Sequence, residues 1–410
     1  MFKALEEQQA NSMDLAERIR AFVEEVIIPH EAELAVGDIN ARRCMDALAE
    51  RAKAVGLWGL AYHGNTPLQR GGLRAYLALA EQEGRSEYGP AIFGAEAALD
   101  TYMLQEGNAL IRRDFLAPLL TGEVLSSYGM SEPDSIGSIP DTLATRARLQ
   151  DGRWRINGRK WFICRAESAS FMTVVARTAE GALDGALSMF VVPTNTPGFK
   201  VERQLQVLGR FQGQCEVSLS DVDVPASYLL GEAGKGLALM RRRLGLGRLL
   251  RSVHWLGLAQ RCIDLMGARI ASPRGELARL ADKQLVRQRL FDAFAAVASA
   301  RALLQDAAVK FDRNVDNDIE VNLSKLAASR ALSLSVDSAI QIFGAQGLSD
   351  LSPLSGIYRC ARTTHILDGT DDALISAVGR RLISIYERGA NLDFDTPSLG
   401  GRPSRLEAIC

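Results

Sequence analysis

Tyr128-Gly129-Met130-Ser131-Glu132-Pro133 opens the stretch that decides the fold, and Phe162-Ile163-Cys164 closes it. Before this stretch apolar residues recur at helical spacing, and within it they begin to alternate with polar residues as in strands. The change of period marks a domain junction. Its loop is built from small and hydroxyl-bearing residues, and such irregular backbone offers unpaired polar groups around a concave opening. We therefore expect a ligand site at this junction.

Length and composition set broad bounds on the protein. The chain has 410 residues, more than one hydrophobic core usually supports, so two or three cooperating domains are expected. Its formal net charge of -1 argues against a dedicated nucleic-acid-binding protein, which normally carries a basic excess. The local run Arg241-Arg242-Arg243 is interpreted as a solvated helix face rather than a phosphate site.

The sequence favours a cytoplasmic protein. Six cysteines are scattered without a C-x-x-C pair, which fits a reducing compartment better than a disulfide framework or a zinc site. The N-terminus carries early acidic residues and lacks the apolar core of a signal peptide. No uncharged apolar run reaches the roughly 18–20 residues needed to cross a bilayer, so we expect no membrane span.

The hydrophobic pattern predicts an α+β protein in the order helical, β, helical. We place the three domains at residues 1–125, 126–235 and 236–390, followed by a mobile tail at 391–410 that is rich in Gly, Pro and Ser. The pattern predicts long helices over residues 237–270, 280–312, 322–343 and 371–388.

Turn signals divide the first two domains. Pro29 is expected to end or kink the first helix, and after Gly89-Pro90 a helical pattern continues to Leu120. Asp151-Gly152, between two alternating runs, predicts a two-residue hairpin, and Asn157-Gly158 predicts a second turn.

Several common catalytic motifs are absent from the sequence. It has no G-x-x-x-x-G-K-[ST] loop, no H-E-x-x-H and no G-x-S-x-G, and Gly245-Leu246-Gly247 lacks the third glycine of a dinucleotide fingerprint. Only four histidines occur, spread along the chain, so we expect no metal site.

Five segments, taken in order, resemble the acyl-CoA dehydrogenase family of flavoproteins. Ser131-Glu132-Pro133 resembles its T-E-P motif, the run 156–163 its I-N-G-x-K-x-W-I motif and the run 229–236 its L-L-G-x-x-G-x-G motif. The run 341–347 resembles its Q-x-F-G-G-x-G motif. Tyr358-Arg359-Cys360-Ala361-Arg362, leading to Asp368-Gly369-Thr370, resembles its R-D-A-x…E-G-T stretch. Each piece is weak alone, but the ordered set is specific and covers about residues 12–388. The resemblance implies an N-terminal helical domain, a central β-barrel or sandwich and a C-terminal four-helix bundle.

The resemblance also implies bound FAD. The positions that match the family's cofactor contacts are Tyr128, Met130, Ser131, Ser138, Phe162, Cys164, Gln284, Gln341, Phe343, Gly344, Thr370 and Asp372. Phe162 and Cys164 stand where the family usually has Trp and Thr. This difference is expected to change the reactivity of the bound flavin rather than the binding of FAD. Pro273 stands where the family has an arginine, and the adjacent Arg274 could supply that cation. In the family, the segment matching Gln341, Phe343 and Gly344 reaches the FAD of a neighbouring subunit.

The resemblance makes Asp368 the base that removes the α-proton of an acyl thioester, while hydride leaves the β-carbon for the flavin. The family usually has Glu here, and Asp is shorter by about 1.5 Å, one carbon–carbon bond. A second lineage carries its base at the position of Gly247, so Asp368 has no rival. Arg248 and Gly369, with Ser138, are the expected substrate contacts. The Asp and a longer loop after Pro133 resemble a branch that includes some dehydrogenases of long or branched acyl-CoAs.

Three functions remain open on the sequence. The leading one is an FAD-dependent acyl-CoA dehydrogenase, a homodimer or homotetramer that passes electrons to an electron-transferring flavoprotein. The second is a flavin oxidase or oxygenase of the nitroalkane oxidase kind, which also uses an Asp base and is suggested by Cys164. The third is a non-catalytic subunit that pairs with an active homologue. The sequence leaves open whether the thioester is carried by CoA or by a carrier protein.

Overall fold

The computed structural model describes residues 14–62, 67–136, 139–178, 186–315, 317–391 and 402–403. Helices and strands succeed one another as the sequence predicts, which confirms the α+β class. The helices are α1 (residues 14–22), α2 (Glu31–Leu34), α3 (Ile39–Ala54), α4 (Pro67–Glu83), α5 (Gly89–Ile92), α6 (Ala98–Leu104), α7 (Ala109–Ile111), α8 (Ala117–Thr121), α9 (Gly236–Ile270), α10 (Pro273–Leu277), α11 (Gln284–Asp312), α12 (Asp318–Phe343), α13 (Ala345–Leu348), α14 (Leu354–Thr364) and α15 (Asp371–Glu387).

The first helices follow their sequence signals closely. Pro29 lies in a 3₁₀ turn, Ile28–His30, which separates the opening helical segment from α2 as expected. Asp38 caps α3 by accepting hydrogen bonds from the backbone N–H groups of Asn40 and Ala41. Gly72, at a φ of 74°, interrupts α4, and the carboxylate of Asp312 caps the restarted helix at the N–H groups of Leu73 and Arg74.

The single helix expected between Gly89-Pro90 and Leu120 is instead a chain of short helices. A break falls at Gly94, which adopts a φ of 75° because the ring of Trp58 packs where its Cβ would stand. Another break precedes Asn108, whose side chain caps α7 at the N–H of Ile111. These breaks bring α6 towards the first strand of the sheet.

The middle of the chain forms a mixed sheet in the order β6-β7-β3-β2-β4-β5-β8, with β1 paired to β4. Its strands are β1 (Ser126–Gly129), β2 (Arg146–Gln150), β3 (Arg153–Cys164), β4 (Phe171–Thr178), β5 (Leu187–Pro193), β6 (Phe199–Val207), β7 (Arg210–Pro225) and β8 (Leu229–Leu230). Two short strands, β9 (Ala390–Asn391) and β10 (Arg402–Pro403), pair separately, and the rest of the predicted tail lies outside the described residues.

One turn prediction is right and the other is wrong. Asp151 and Gly152 both have positive φ and join β2 to β3 as a tight hairpin. Asn157-Gly158 lies inside β3 instead, where the pairing with β7 shifts register between Ile156 and Gly158. A Cβ at Gly158 would approach Thr145 Oγ1 to 2.3 Å, so this glycine permits a bulge and a close contact rather than a reversal.

The helices after the sheet pack against one another and back onto the N-terminal helices. The largest buried apolar cluster draws residues from α4, α9, α11 and α12. Helix α9 crosses α4 at two glycines, because a Cβ at Gly257 would lie 2.0 Å from the carbonyl oxygen of Glu81 and one at Gly84 would lie 2.2 Å from that of His254. Since α9 also contacts α6 and β5, it is the element that connects all parts of the molecule.

Three further findings concern the described residues alone. Their helices include none with the length and hydropathy that crossing a bilayer requires. Among them, no cluster of His, Cys, Asp and Glu has a metal-binding arrangement. Five cysteines in these ranges, Cys44, Cys164, Cys215, Cys262 and Cys360, are free thiols.

Candidate functional site

The loop after β1 is fastened to β3 by hydrogen bonds. Lys160 Nζ donates to the carbonyl oxygen of Met130 at 2.9 Å, and the backbone N–H of Trp161 donates to that of Ser131 at 3.0 Å. These bonds bring Met130 and Ser131 beside the end of β3, which carries Phe162 and Cys164. Tyr128, in β1, joins the same group, so five of the predicted cofactor contacts lie together.

The Glu132 side chain makes most of the hydrogen bonds that hold this loop. Its carboxylate lies 2.7 Å from Lys160 Nζ and accepts the backbone N–H groups of Ala144 and Thr145 and the hydroxyl of Ser135. Both charged side chains are buried. Burial alone raises the pKa of Glu132, but the Lys160 charge and these hydrogen bonds outweigh it and lower the pKa to about 2. The loop is therefore held by a fully partnered carboxylate.

Phe162 presents an exposed aromatic ring at the end of β3. It has a φ of 50°, contacts Trp161 edge-on at 4.9 Å between ring centroids, and retains 50% of its surface area. Next to it, Cys164 Sγ accepts a weak hydrogen bond from the Gln214 amide at 3.8 Å. A flat apolar ring beside a polarizable sulfur suits the face of a planar ligand.

Tyr128 is the meeting point of β1 and α9. The guanidinium of Arg243 stacks 3.6 Å from the Tyr128 ring centroid, and Arg243 Nη2 also lies 3.2 Å from the Asp100 carboxylate. Burial and the Asp100 charge raise the pKa of Tyr128 to about 12, although the Arg243 charge acts in the opposite direction. Its buried hydroxyl has no hydrogen-bond partner in the described structure.

This geometry corrects the interpretation of the arginine triplet. Arg241 and Arg242 are exposed as expected, but Arg243 is buried against Asp100. Helical rotation by about 100° per residue separates the three side chains, so one member can face the protein interior.

Asp368 lies in the loop between α14 and α15 and faces α9. Its backbone adopts a φ of 54°, and its carbonyl oxygen accepts a 2.9 Å hydrogen bond from Arg248 Nε. Arg248 Nη1 also donates to the side-chain oxygen of Asn322 at 3.0 Å. A Cβ built on Gly247 would lie 3.9 Å from Asp368 Oδ1, so the Asp368 carboxylate fills the space beside this glycine.

Arg251, one helical turn beyond Gly247, reaches the same carboxylate. Its Nε lies 2.7 Å from Asp368 Oδ2, yet neither atom has a partner at hydrogen-bonding angles, so the contact is electrostatic rather than a directed bond. The Asp368 charge raises the pKa of Arg251 against the effect of burial, and Cys164 also contributes. Arg251 therefore contacts the Asp368 loop and lies near the end of β3, which carries Cys164.

Residues 369–372 complete the loop. Gly369 has a φ of 101°, and a Cβ there would lie 3.4 Å from Arg248 Nη2. The absence of a side chain at this position leaves room for the Arg248 guanidinium. Thr370 caps α15 by accepting a hydrogen bond from the backbone N–H of Ala373 at 3.2 Å, and Asp372 is exposed. Asp371, which the sequence reasoning did not single out, pairs with the buried Lys325 at 2.6 Å.

The remaining predicted cofactor contacts lie far from Asp368. Asn322, which touches Arg248, stands near the start of α12, whereas Gln341 and Phe343 stand at its end, about 30 Å away along a helix that rises 1.5 Å per residue. Phe343 packs under Arg269 at 5.3 Å, and Gln341 and Gly344 are exposed.

Two more of the predicted cofactor contacts are exposed to solvent, and one lies outside the described residues. Arg274, in α10, and Gln284, at the start of α11, are both exposed. Within the described part of this single chain, the predicted contacts thus fall into two separate groups. Ser138 lies outside the described residues.

Sequence reasoning missed the charged residues around Arg251. One signal was available, because Gly247 and Arg251 are four residues apart and share a face of α9. No sequence signal links Arg251 to Glu96 or Asp100, which come from the short helices that break the expected continuous one. Arg165, which pairs with Glu96, follows Cys164 directly but belongs to no recognised motif.

Comparison of the sequence and fold with known proteins identifies the protein family of this chain. Residues 127–222 match the family model described as the acyl-CoA dehydrogenase middle domain, and residues 234–383 match the acyl-CoA dehydrogenase C-terminal domain. The chain is 32% identical over 397 residues to "Probable acyl-CoA dehydrogenase FadE2" of Mycobacterium tuberculosis, covering 92% of this chain and 96% of that one. This chain belongs to the acyl-CoA dehydrogenase family, a family of flavoprotein oxidoreductases.

Two further relatives agree with that assignment. Human acyl-CoA dehydrogenase family member 11 is 29% identical over 90% of this chain, which spans about half, 50%, of that longer protein. A solved structure of a proposed acyl-CoA dehydrogenase from Mycobacterium abscessus superposes with a TM-score of 0.81 at 29% identity, covering 92% of this chain and 99% of that one.

Proposed function

We propose that the protein is an FAD-dependent acyl-CoA dehydrogenase, which converts an acyl thioester to a trans-2-enoyl thioester. The observation that carries the proposal is the position of the Asp368 carboxylate, beside Gly247 and Arg251 on α9, across the junction from Cys164. We retain the domain limits at 125/126, 235/236 and 390/391 as part of the proposal, supported by strands β1–β8 lying between residues 126 and 230.

The residues at the end of β3 fit a flavin ring. Phe162 exposes half of its ring there, and the Tyr128 hydroxyl is a buried polar atom without a partner. Met130 and Ser131 are held beside Phe162 by the hydrogen bonds to β3, where they can line the polar edge of a planar ligand. FAD bound there would supply the acceptor for the hydride that leaves the β-carbon of the substrate.

Asp368 removes the α-proton in this proposal. The electron pair of the broken Cα–H bond becomes the new double bond as hydride leaves the β-carbon, so one proton ends on Asp368. Arg248 fixes the backbone of Asp368 through its carbonyl oxygen. The Nη2 atom of Arg248 faces Gly369, where it can stabilise the negative charge that grows on the thioester oxygen.

A basic cleft supports a CoA-sized carrier. The cleft is about 730 Å³ in volume, lies between α12 and α15, and includes Asn322 in its lining. Arg380, Arg381 and Arg388 line it together with Asp318 and Glu387. Guanidinium groups bind phosphate oxygens well, and Asn322 connects the cleft to Arg248 and so to Asp368.

A second copy of the chain supplies the other half of the FAD site in this proposal. The group containing Gln341, Phe343 and Gly344 lies too far from Asp368 to meet the same isoalloxazine ring, and Arg274 and Gln284 are exposed. Binding the pyrophosphate and adenine of a neighbouring copy would give these residues a role and make the protein a homodimer or homotetramer. Electrons pass to an electron-transferring flavoprotein, and the free thiols support a cytoplasmic setting.

Asp368→Asn tests the proposal because it keeps the side-chain size and removes the base. We expect purified D368N to retain FAD and to lose α-proton exchange by roughly 100- to 10,000-fold, the range for a general base. Exchange is followed by deuterium uptake into an acyl-CoA in the absence of an electron acceptor. The matched control is Asp46→Asn, an exposed aspartate on α3. Exchange at the wild-type rate in D368N would remove Asp368 from the mechanism.

A further inference from the structure

Arg251 occupies an unusual place for a charged side chain. It lies near residues from three other parts of the chain, since Asp368, Cys164, and the pair Glu96 and Asp100 all affect its pKa. Even so, 40% of its side-chain surface is accessible. The accessible part of Arg251 therefore borders an open space, and this space adjoins the carboxylate of Asp368.

The charges around this space balance only while Asp368 is ionised. Arg165 pairs with Glu96, Arg243 lies 3.2 Å from Asp100, and Arg251 contacts Asp368. Arg248 donates hydrogen bonds only to neutral groups, a carbonyl oxygen and the Asn322 amide, but the Asp318 charge also acts on it. Four guanidinium groups thus face four carboxylates, and one positive charge is left without a counterpart once Asp368 accepts the substrate proton.

Arg251 is the arginine of this group that can exchange partners. Its contact with Asp368 is short but not directed, and its Nε has no partner at a hydrogen-bonding angle. Arg243, by contrast, is buried, stacked on Tyr128 and bonded to Asp100. An apolar acyl chain in this space would strip water from the Arg251 guanidinium without replacing its hydrogen bonds, which is unfavourable.

We propose that Arg251 binds an oxyanion on the acyl chain, so that the substrates are acyl thioesters carrying a negatively charged group. The inference rests on the proposed function and narrows its substrate class. A guanidinium group binds a carboxylate or a phosphorus oxyanion through two parallel hydrogen bonds. When Arg251 turns to the substrate, it leaves Asp368 free to accept the α-proton, so binding of the correct chain also releases the base.

The geometry limits the length of the chain. Arg251 touches the carboxylate that removes the α-proton, and a guanidinium and its hydrogen bond extend a few ångströms further. The anionic group therefore lies within about 10 Å of the α-carbon, the reach of an acyl chain of up to roughly eight carbons.

The first experiment compares substrates on the wild-type holoenzyme. Anaerobic flavin bleaching and steady-state turnover are measured with succinyl-, glutaryl-, adipyl- and suberyl-CoA, each against an uncharged chain of similar shape, such as 5-methylhexanoyl-CoA for glutaryl-CoA. An ω-phosphonoacyl-CoA distinguishes a phosphorus oxyanion from a carboxylate. We expect kcat/KM for the best anionic chain to exceed that of its uncharged match by roughly 10- to 100-fold, the usual effect of a charged hydrogen bond.

The second experiment assigns the preference to one side chain. Arg251→Gln should lower the ratio of anionic to uncharged kcat/KM by the same roughly 10- to 100-fold, and Arg251→Lys should restore part of it. The control Arg241→Gln removes an exposed arginine of the same helix and should keep the ratio. FAD content and circular dichroism show whether each variant is folded.

The outcomes separate the inference from the proposed function. Wild-type preference for uncharged chains, or an equal loss with both substrates in R251Q, would overturn the anion site while leaving a dehydrogenase. If no acyl-CoA of either kind bleaches the flavin, the proposed function itself fails. Should R251Q not fold, the wild-type ratio and the Arg251→Lys variant still decide the question.

Discussion

Glu132 and Lys160 illustrate how single residues position the candidate site. Their buried ion pair closes the loop after β1 onto β3, and every hydrogen bond of the Glu132 carboxylate goes to that loop or to Lys160. Such a pair contributes little net stability compared with apolar residues, but removing one partner leaves a buried charge alone. The pair therefore makes the loop geometry sensitive to either side chain.

Glu132→Gln should destabilise the protein near neutral pH and weaken its acid sensitivity. The pKa of Glu132 is about 2 in the folded protein against an ordinary value of 4.5. Between these values the unfolded chain binds a proton that the folded protein does not, so stability falls as pH drops from 4.5 towards 2, by about 3 kcal/mol. Urea unfolding midpoints measured across that range check the prediction.

The double variant E132Q/K160M provides the control, because it removes both charges. It should be more stable than E132Q alone, in which the Lys160 charge stays buried without its partner. Identical pH dependence in wild type and E132Q would contradict the role given to this carboxylate.

At this scale the sequence predicts residue identity better than residue environment. Glu132 is visible in a motif, but its hydrogen bonds come from backbone groups at residues 144 and 145 that no motif marks. Phe162 and Cys164 could be found because they follow a recognisable strand. The sequence could place Arg251 only on the same face of α9 as Gly247, because its partner Asp368 is more than a hundred residues away and a substrate contact depends on tertiary packing.

Among the elements, the crossing of α4 and α9 depends on close approach of two backbones. Gly257 packs on the carbonyl oxygen of Glu81, and Gly84 packs on that of His254. The crossing fixes the rotation of α9 about its axis and thus the direction in which Gly247 and Arg251 point. A change at the crossing should therefore reach the site.

Gly257→Ala should destabilise the protein by about 3 kcal/mol, at the upper end for overpacking, because the new Cβ meets backbone rather than a flexible side chain. Gly267→Ala on the same helix is the matched control. No atom lies within 4 Å of its added Cβ, so it should stabilise the helix by up to about 1 kcal/mol. Thermal unfolding of both variants gives the comparison, and equal effects would contradict the close crossing.

Long periodic elements were predictable and short ones were not. Helices α9, α11, α12 and α15 begin and end within a few residues of their predicted limits. Strand β6 was not singled out from the sequence, because three consecutive exposed polar residues in its middle, Glu202, Arg203 and Gln204, interrupt the alternation of its apolar residues. The segment from Gly89 to Leu120 looked like one helix because its apolar spacing is helical throughout, whereas the tertiary contact of Trp58 with Gly94 breaks it.

For the whole molecule, the α–β–α order could be predicted from changes of period, but the exposed apolar surfaces could not. An apolar groove of about 370 Å³ lies between α9 and α11, lined by Ile263, Leu290, Phe291 and Phe294 beside Arg287. Phe291 and Phe294 are 67% and 58% exposed. Exposed rings of this size on adjacent turns are typical of a protein interface.

Phe291→Glu/Phe294→Glu should convert the proposed homo-oligomer into monomers, since two carboxylates would be buried in an apolar contact between copies. The same variant should lose FAD if Gln341 and Phe343 serve the cofactor of a neighbouring copy, because each monomer then holds only half of a site. Sedimentation velocity and the flavin-to-protein ratio measure both effects on one sample. Val36→Glu, at an exposed apolar position in the turn after α2, is the control and should change neither. A double variant that sediments as a monomer and keeps its flavin would contradict a cofactor site shared between copies. Unchanged sedimentation would show that this face of α11 is exposed to solvent and forms no interface.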